Sequence, residues 1–414
     1  MDRVIIPLGY DRIRAGRAAT RLNRDHMPYI PKFPLSNTFK EFAASGKAGG
    51  AVLIACTLAS LLIANSSLGG QYLHFWHQPL AGLSIETWVN DALMAVFFLL
   101  IGLELERELY NGELSDMRNA LLPIVAACGG IAVPALIHFG LNHGTASQPG
   151  LGIPMATDIA FALGVLAMLG KRIPASLKVF LTALAVMDDL GAIVVIALFY
   201  TAELSAAWLL AALAVFVLLV ALNRFGRVMA LTPYLAGGVL MWFFMLKSGV
   251  HATIAGVLLA FAIPYSARCD DEASPSHRLE HVLHKPVAFF ILPVFALANT
   301  GIVIGAGWGQ GLLSSNSLGI ILGLVVGKPL GIVLACLAAV GLGLCRLPSD
   351  LAWRHVIGAG LLGGIGFTMS IFITNLAFAG QAELVNAAKM AILAASLASG
   401  LGGFIWLRLR GAMV

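Results

Sequence analysis

The sequence predicts an all-α polytopic membrane protein of about twelve transmembrane helices, and three observations predict it. The 414 residues are 59% hydrophobic and only 11% charged, against roughly a quarter charged in soluble domains. A soluble fold of this size could not hide that much apolar surface. Apolar runs of about twenty residues, long enough to cross a bilayer as helices, recur along almost the whole chain. The basic residues cluster between alternate runs, as the positive-inside rule requires. The runs lack the two-residue alternation of barrel strands, and helices satisfy their own backbone groups in lipid.

Residues 1–46 form a basic tail with Pro28, Pro31 and Pro34 and no apolar leader segment, so no cleavable signal peptide is expected. The tail is read as a disordered cytoplasmic arm lying against anionic lipid. A single membrane domain over 47–414 follows it. Spans are expected at 47–66, 87–104, 120–140, 150–170, 178–200, 206–222, 229–247, 249–264, 286–304, 317–344, 355–378 and 382–407. The seventh and eighth are short, and only Lys247, Ser248 and Gly249 separate them. The stretch 265–285 is a polar inner loop of mixed charge. With the N-terminus inside, 23 of the 26 Lys and Arg residues fall in the tail, the inner loops or the C-terminus. The exceptions are Lys247, Lys328 and Lys389. The outer loops 67–86, 141–149 and 305–316 hold no Lys or Arg. Both termini are therefore expected in the cytoplasm, with the chain crossing an inner membrane. The net charge of +5 comes with no aromatic-interleaved basic patch, so no nucleic-acid partner is expected. Five scattered cysteines without a CxxC spacing suggest neither a zinc site nor a disulfide framework.

Within this apolar background a few charges stand out. Asp188 and Asp189 sit near the middle of the fifth span. Each ionised carboxylate at that depth costs about 2.5–3.5 kcal/mol on insertion scales. Adjacent helical residues point about 100° apart, so the two acids face different neighbours and can differ in role. The alternative is a turn at the pair, which would leave each half too short to span. A carboxylate pair in a partly dry cavity suits protons or a small hard cation. Burial favours the protonated acid and a nearby cation favours the carboxylate. Competition of Na+ and H+ for the same oxygens is then sufficient for exchange, and no chemical bond breaks.

Asp158 is a third intramembrane acid, in GlyIleProMetAlaThrAspIleAlaPheAlaLeuGly (152–164), where Pro154 and Thr157 suggest an interrupted helix. The eleventh span holds a parallel interruption, GlyLeuLeuGlyGlyIleGlyPheThrMetSer (360–370). Paired interrupted spans in the two halves of a chain point to a transporter's midplane site. Half-helices leave positive N-termini and negative C-termini facing each other. Asp158 and Lys328 are the candidates to neutralise them. The alternatives are that Asp158 only caps a short re-entrant helix and that Lys328 snorkels. Lys389 is read as reaching the outer interface.

The chain resembles the NhaA family of bacterial Na+/H+ antiporters from about residue 40 to its end. The resemblance rests on motifs in matching order: 90–109, AlaThrAspIleAlaPheAlaLeuGly (156–164), AspAspLeuGlyAlaIle (188–193), GlyValHisAlaThrIleAlaGlyVal (249–257), ArgLeuGluHisValLeuHis (278–284), GlyLysProLeuGly (327–331) and GlyIleGlyPheThrMetSerIlePheIle (364–373). It implies an inverted repeat of spans 3–5 and 10–12, with spans 4 and 11 crossing as broken helices. It implies Na+ and proton binding at Asp188 and Asp189. Thr157 and Asp158 would stand at the crossing, and Lys328 would pair with the first aspartate. The activity implied is electrogenic, alkaline-activated extrusion of Na+ or Li+ against H+, by a secondary transporter rather than an enzyme, with no cofactor.

The resemblance further assigns pH sensing at the cytoplasmic mouth to Glu104, Arg107, Glu108, His251, Glu280, His281 and His284. Histidines titrate nearest neutrality. The alternative is an ordinary solvated helix-end face. Family members form homodimers, yet the outer loop 67–86 looks shorter than the family form that carries a dimer-contact hairpin. Glu106 stands where a basic residue is expected. The competing functions are a cation/proton antiporter favouring K+, an intramembrane aspartyl protease, whose GlyXaaGlyAsp signature is absent, and a transport-dead sensor or scaffold.

Overall fold

A computed structural model describes residues 37–112, 115, 117–201, 204–265, 274–305 and 308–411. Most of the basic tail lies outside the described residues. The first helix, α1 (Asn37–Ala64), nevertheless begins before the expected start at 47.

The architecture is all-α apart from one small hairpin. Helix α2 (Gly69–His77) leads to strands β1 (Pro79–Leu80) and β2 (Leu83–Ser84), paired antiparallel through only two residue pairs. So the outer loop does hold a hairpin, in minimal form. The chain continues as α3 (Ile85–Asn111) and α4 (Met117–Asn142). A 3-10 segment, Gln148–Met155, and α5 (Ile159–Met168) form the fourth expected span. Helices α6 (Ala175–Phe199), α7 (Ala206–Arg224), α8 (Leu231–Ser248) and α9 (Ile254–Ala262) follow. The chain ends with α10 (Pro275–Asn299), α11 (Trp308–Leu312), α12 (Ser315–Gly341), α13 (Trp353–Gly363), α14 (Phe367–Ala377) and α15 (Ala382–Arg410).

Among the described residues, eight helices are long and apolar enough to cross a membrane, or ten if each of two bent pairs counts as one span. Each of the twelve expected runs is helical in the structure, and ten of them meet this measure. The expected seventh and eighth spans correspond to α8 and α9, which do not meet that test; α9 has only nine residues. Gly249, at φ +84°, ends α8 in the left-handed conformation that glycine adopts without penalty. Helix α10 also starts eleven residues earlier than the expected span at 286. Ser274 caps it by accepting a hydrogen bond from the His277 amide, and the amphipathic turn after that cap had looked like a loop.

The two sets of three spans share one pattern: a long helix, an interrupted one, a long helix. The interrupted members meet at their breaks, where the Asp158 amide donates to the Ile365 carbonyl at 2.6 Å. Small residues allow the close packing around them. A Cβ on either Gly129 (α4) or Gly331 (α12) would collide with the other's carbonyl oxygen, and one on Gly256 (α9) would collide with the Ala95 carbonyl of α3. Gly102 packs on Ala260 as Gly256 packs on Ala95, so α3 and α9 run in the same direction.

Candidate functional site

The site is built where the two interrupted spans cross. The fourth expected span stays extended from Ala156 to Asp158, because Pro154 cannot donate a helical hydrogen bond. Its two halves leave a carbonyl end at Met155 and an amide end at Ile159. Lys328 donates to the Met155 carbonyl oxygen. Asp158 caps the other end by accepting from the Phe161 amide at 3.0 Å. The same carboxylate accepts from the Thr368 amide at 3.1 Å and the Thr368 hydroxyl at 2.5 Å, so it also caps α14. One acid and one base thus meet the exposed helix ends, as the half-helix argument requires. Sequence reasoning had not singled out Thr368; its place inside the glycine-rich interruption was the available signal.

Asp188 and Asp189 lie in an unbroken α6, so no turn occurs at the pair. Their environments differ, as their 100° separation predicts. Asp188 pairs with Lys328 at 2.8 Å and accepts from the Thr157 hydroxyl at 2.6 Å. That hydroxyl also lies 2.9 Å from the Gly363 carbonyl, tying both interrupted spans to α6. Lys328 is fully buried and does not snorkel. Its stem packs beside Gly130 and Gly363. Asp189 is fully buried, and neither of its oxygens accepts a hydrogen bond from any described residue. A carboxylate in that condition is strongly disfavoured unless a proton or a cation joins it.

Asp189 and Asp158 line a cavity of about 40 Å³, which holds a few waters or a partly hydrated ion. Leu100, Ile101 and Thr368 form its walls, and Glu104 and His284 line its far end. The charged cluster of α3 and α10 and the central acids therefore share one cavity.

In that cluster Arg107 bridges Glu280 at 2.5 Å and Glu108 at 3.1 Å. The His284 ring lies between two carboxylates, with Nδ1 3.6 Å from Glu104 and Nε2 3.6 Å from Glu280. His277 stands 3.7 Å from the other Glu280 oxygen. Glu104, Arg107, Glu108, Glu280 and His284 are thus brought together. Glu104 and Glu280 are buried, so this is not an ordinary solvated face. Glu106 is buried beside the cluster and accepts from the Ser276 hydroxyl at 3.2 Å.

Two expected members are placed elsewhere. His281 is exposed; one residue from Glu280, it points about 100° away from that side chain. His251 lies between α8 and α9, its ring 6.5 Å from that of Phe372. Because α3 and α9 run in parallel, His251 lies near the Asp91 end of α3, opposite Glu104 and Glu108. Lys389 is covered within the bundle, its residue only 7% exposed, close enough to Glu86 at the start of α3 to feel its charge.

The chain is similar to known proteins over most of its length. The family model for Na+/H+ antiporter 1 matches residues 40–407. A Na(+)/H(+) antiporter NhaA of Dechloromonas aromatica is 72% identical over 373 residues, covering 90% of this chain and 96% of its own. Na(+)/H(+) antiporter NhaA 1 of Flavobacterium johnsoniae is 58% identical over 374 residues, 90% of this chain and 97% of its own. A relative in Mesorhizobium japonicum is 51% identical over 383 residues, 91% and 96% of the two chains. A match over nearly the whole membrane domain, together with crossed helix breaks closed by Asp158 and Lys328, places this chain in the Na+/H+ antiporter 1 family.

Proposed function

We infer that this chain exchanges Na+ for H+ across a bacterial membrane, with Asp189 as the group both ions occupy in turn. The observation that carries the reading is the Asp189 carboxylate: fully buried, with no hydrogen-bond donor on either oxygen among the described residues, and facing a cavity. Oxygen ligands suit a hard monovalent cation as they suit Ca2+ or Mg2+. Asp158 lies in the same cavity and adds negative potential. Na+ at these oxygens and a proton on them are mutually exclusive, and that exclusion is the coupling.

The Asp188–Lys328 pair provides a second proton site beside Asp189. More than one proton can then be exchanged per sodium, which is the electrogenic ratio expected above. Cytoplasmic Na+ or Li+ would leave against an inward proton gradient. Glu104 and His284 line the end of the cavity on the side the basic residues mark as cytoplasmic. Exposed apolar faces such as that of Leu210, Val217 and Leu218 on α7 suit lipid chains. The outward Leu80 of the hairpin is the surface through which a second copy would dock; a monomer in mild detergent would argue against that partner.

The test uses everted vesicles from an antiporter-deficient strain, energised to an acid interior. Na+ and Li+ should collapse the pH gradient and K+ should not. Collapse by K+ alone would reverse the assignment of substrate.

The mouth cluster is the proposed pH control. Loss of the proton held between Glu104 and Glu280 on His284 would open the cavity as pH rises. Glu280→Gln removes one of the two carboxylates favouring the charged ring. Activation should then occur at lower pH, by about one unit for each ~1.4 kcal/mol of charge interaction lost. An unmoved pH profile with altered Na+ affinity would place Glu280 in ion binding instead.

A further inference from the structure

The cavity runs along α3 and α10 from Glu104 and His284 to Phe97 and Leu292, and α3, α10 and α14 meet again one to two turns beyond that end. Three asparagines from three helices join there. The Asn299 side chain (α10) donates to the Asn90 side-chain oxygen (α3) at 2.8 Å. The Asn375 side chain (α14) donates to the Asn299 oxygen at 2.5 Å. Asn299 is almost fully buried and also donates to the Phe295 carbonyl at 3.0 Å. Asn90 is carried on a π-helical segment, Trp88–Leu93, of the kind often found at functional sites.

Directly beneath the asparagines lie three buried phenylalanines from the same three helices. The Phe98 and Phe372 rings are 5.6 Å apart, and those of Phe295 and Phe372 are 6.4 Å apart. Phe295 and Asn299 are four residues apart on α10; Phe372 and Asn375 are three apart on α14. Each pair therefore shares a helix face. Every one of these helices gives one ring and one amide to the seal.

We propose that Asn90, Asn299 and Asn375 form the latch that closes the ion cavity toward the external side, and that the latch opens once per transport cycle. The proposal rests on the reading above that the Glu104 end faces the cytoplasm. For Asp189 to reach the external side, α3, α10 and α14 must part at this end. A seal made only of apolar contacts would expose hydrophobic surface on parting. Amides exchange their mutual hydrogen bonds for bonds to water, and the net difference is small. An amide ladder over a small aromatic plug therefore holds the closed state without making the open one inaccessible.

The latch exists only in the cytoplasm-facing state, so weakening it raises the population of the external-facing state. Apparent affinity scales with the population of the binding-competent state. When the external-facing state is the minor one, losing one ladder bond should increase it roughly two- to tenfold. The apparent KM for external Na+ should fall by the same factor, while that for cytoplasmic Na+ changes less than about twofold.

The experiment measures both KM values in proteoliposomes of known orientation, for Asn375→Ala and, on a different helix, for Asn90→Ala. A fall in the external KM alone, in both variants, supports the latch. Unchanged KM values with a lower maximal rate, or equal changes on both sides, would show a merely structural network and overturn it. The unmodified protein, measured alongside, reports on Na+/H+ exchange itself and keeps a failure of that reading separate.

Discussion

Asp189→Asn abolishes sodium-driven proton movement and leaves the protein at least as heat-stable as the unmodified chain. Both halves of this expected result follow from one environment. The Asp189 oxygens are buried and receive no hydrogen bond from the described residues, so the carboxylate contributes nothing to holding the fold. Its neighbours include two more acids, Asp188 on the same helix and Asp158 across the cavity. Asparagine has nearly the same shape and no charge to desolvate, so the substitution removes a liability. It also removes the oxygens that a proton and a cation occupy in turn. Vesicle assays should show no collapse of the pH gradient by Na+ above background. The melting temperature of the purified variant should be unchanged or higher. An active variant would remove Asp189 from the mechanism, and a strongly destabilised one would make its role structural.

Lys328→Ala has the opposite signature. The lysine is fully buried, paired with Asp188 at 2.8 Å, and donates to the Met155 carbonyl. Truncating it leaves a buried carboxylate and a helix-end carbonyl without their partner. Removing one member of a buried pair costs about 3–5 kcal/mol, several degrees or more of melting temperature in a chain of this size. The double variant Lys328→Ala with Asp188→Asn should recover part of the loss, because the orphaned charge is gone. A single variant as stable as the unmodified protein would mean that Lys328 does not hold the crossing together. Stability and function are thus placed on neighbouring residues of α6: Asp188 is tied into the fold, Asp189 is not.

Much of this was legible in the sequence, for identifiable reasons. A charge in an apolar run is visible because its cost is large, and all four central groups, Asp158, Asp188, Asp189 and Lys328, announced themselves that way. Pro154 and the glycines of 360–370 marked the helix breaks, since both disturb helical hydrogen bonding. What the sequence hid was partnership with backbone. No pattern reveals that Lys328 meets the Met155 carbonyl, or that Asp158 caps α14 as well as its own helix. The asparagine latch was hidden because an asparagine near a helix end reads as an ordinary polar residue.

His251 was misplaced because it lies close in sequence to a helix end, and only packing shows which end of the bundle that is. The amphipathic start of α10 was mistaken for a loop because its polar face dominates its composition.

The most direct test of the central claim is Na+ binding to the purified protein as a function of pH, by calorimetry in a weakly proton-accepting buffer. If Na+ and H+ compete for the Asp189 oxygens, apparent Na+ affinity weakens up to about tenfold per unit fall in pH in the acid range, and bound Na+ releases protons. Affinity that stays constant with pH, with no proton release, would mean that the two ions occupy separate sites and would contradict the account.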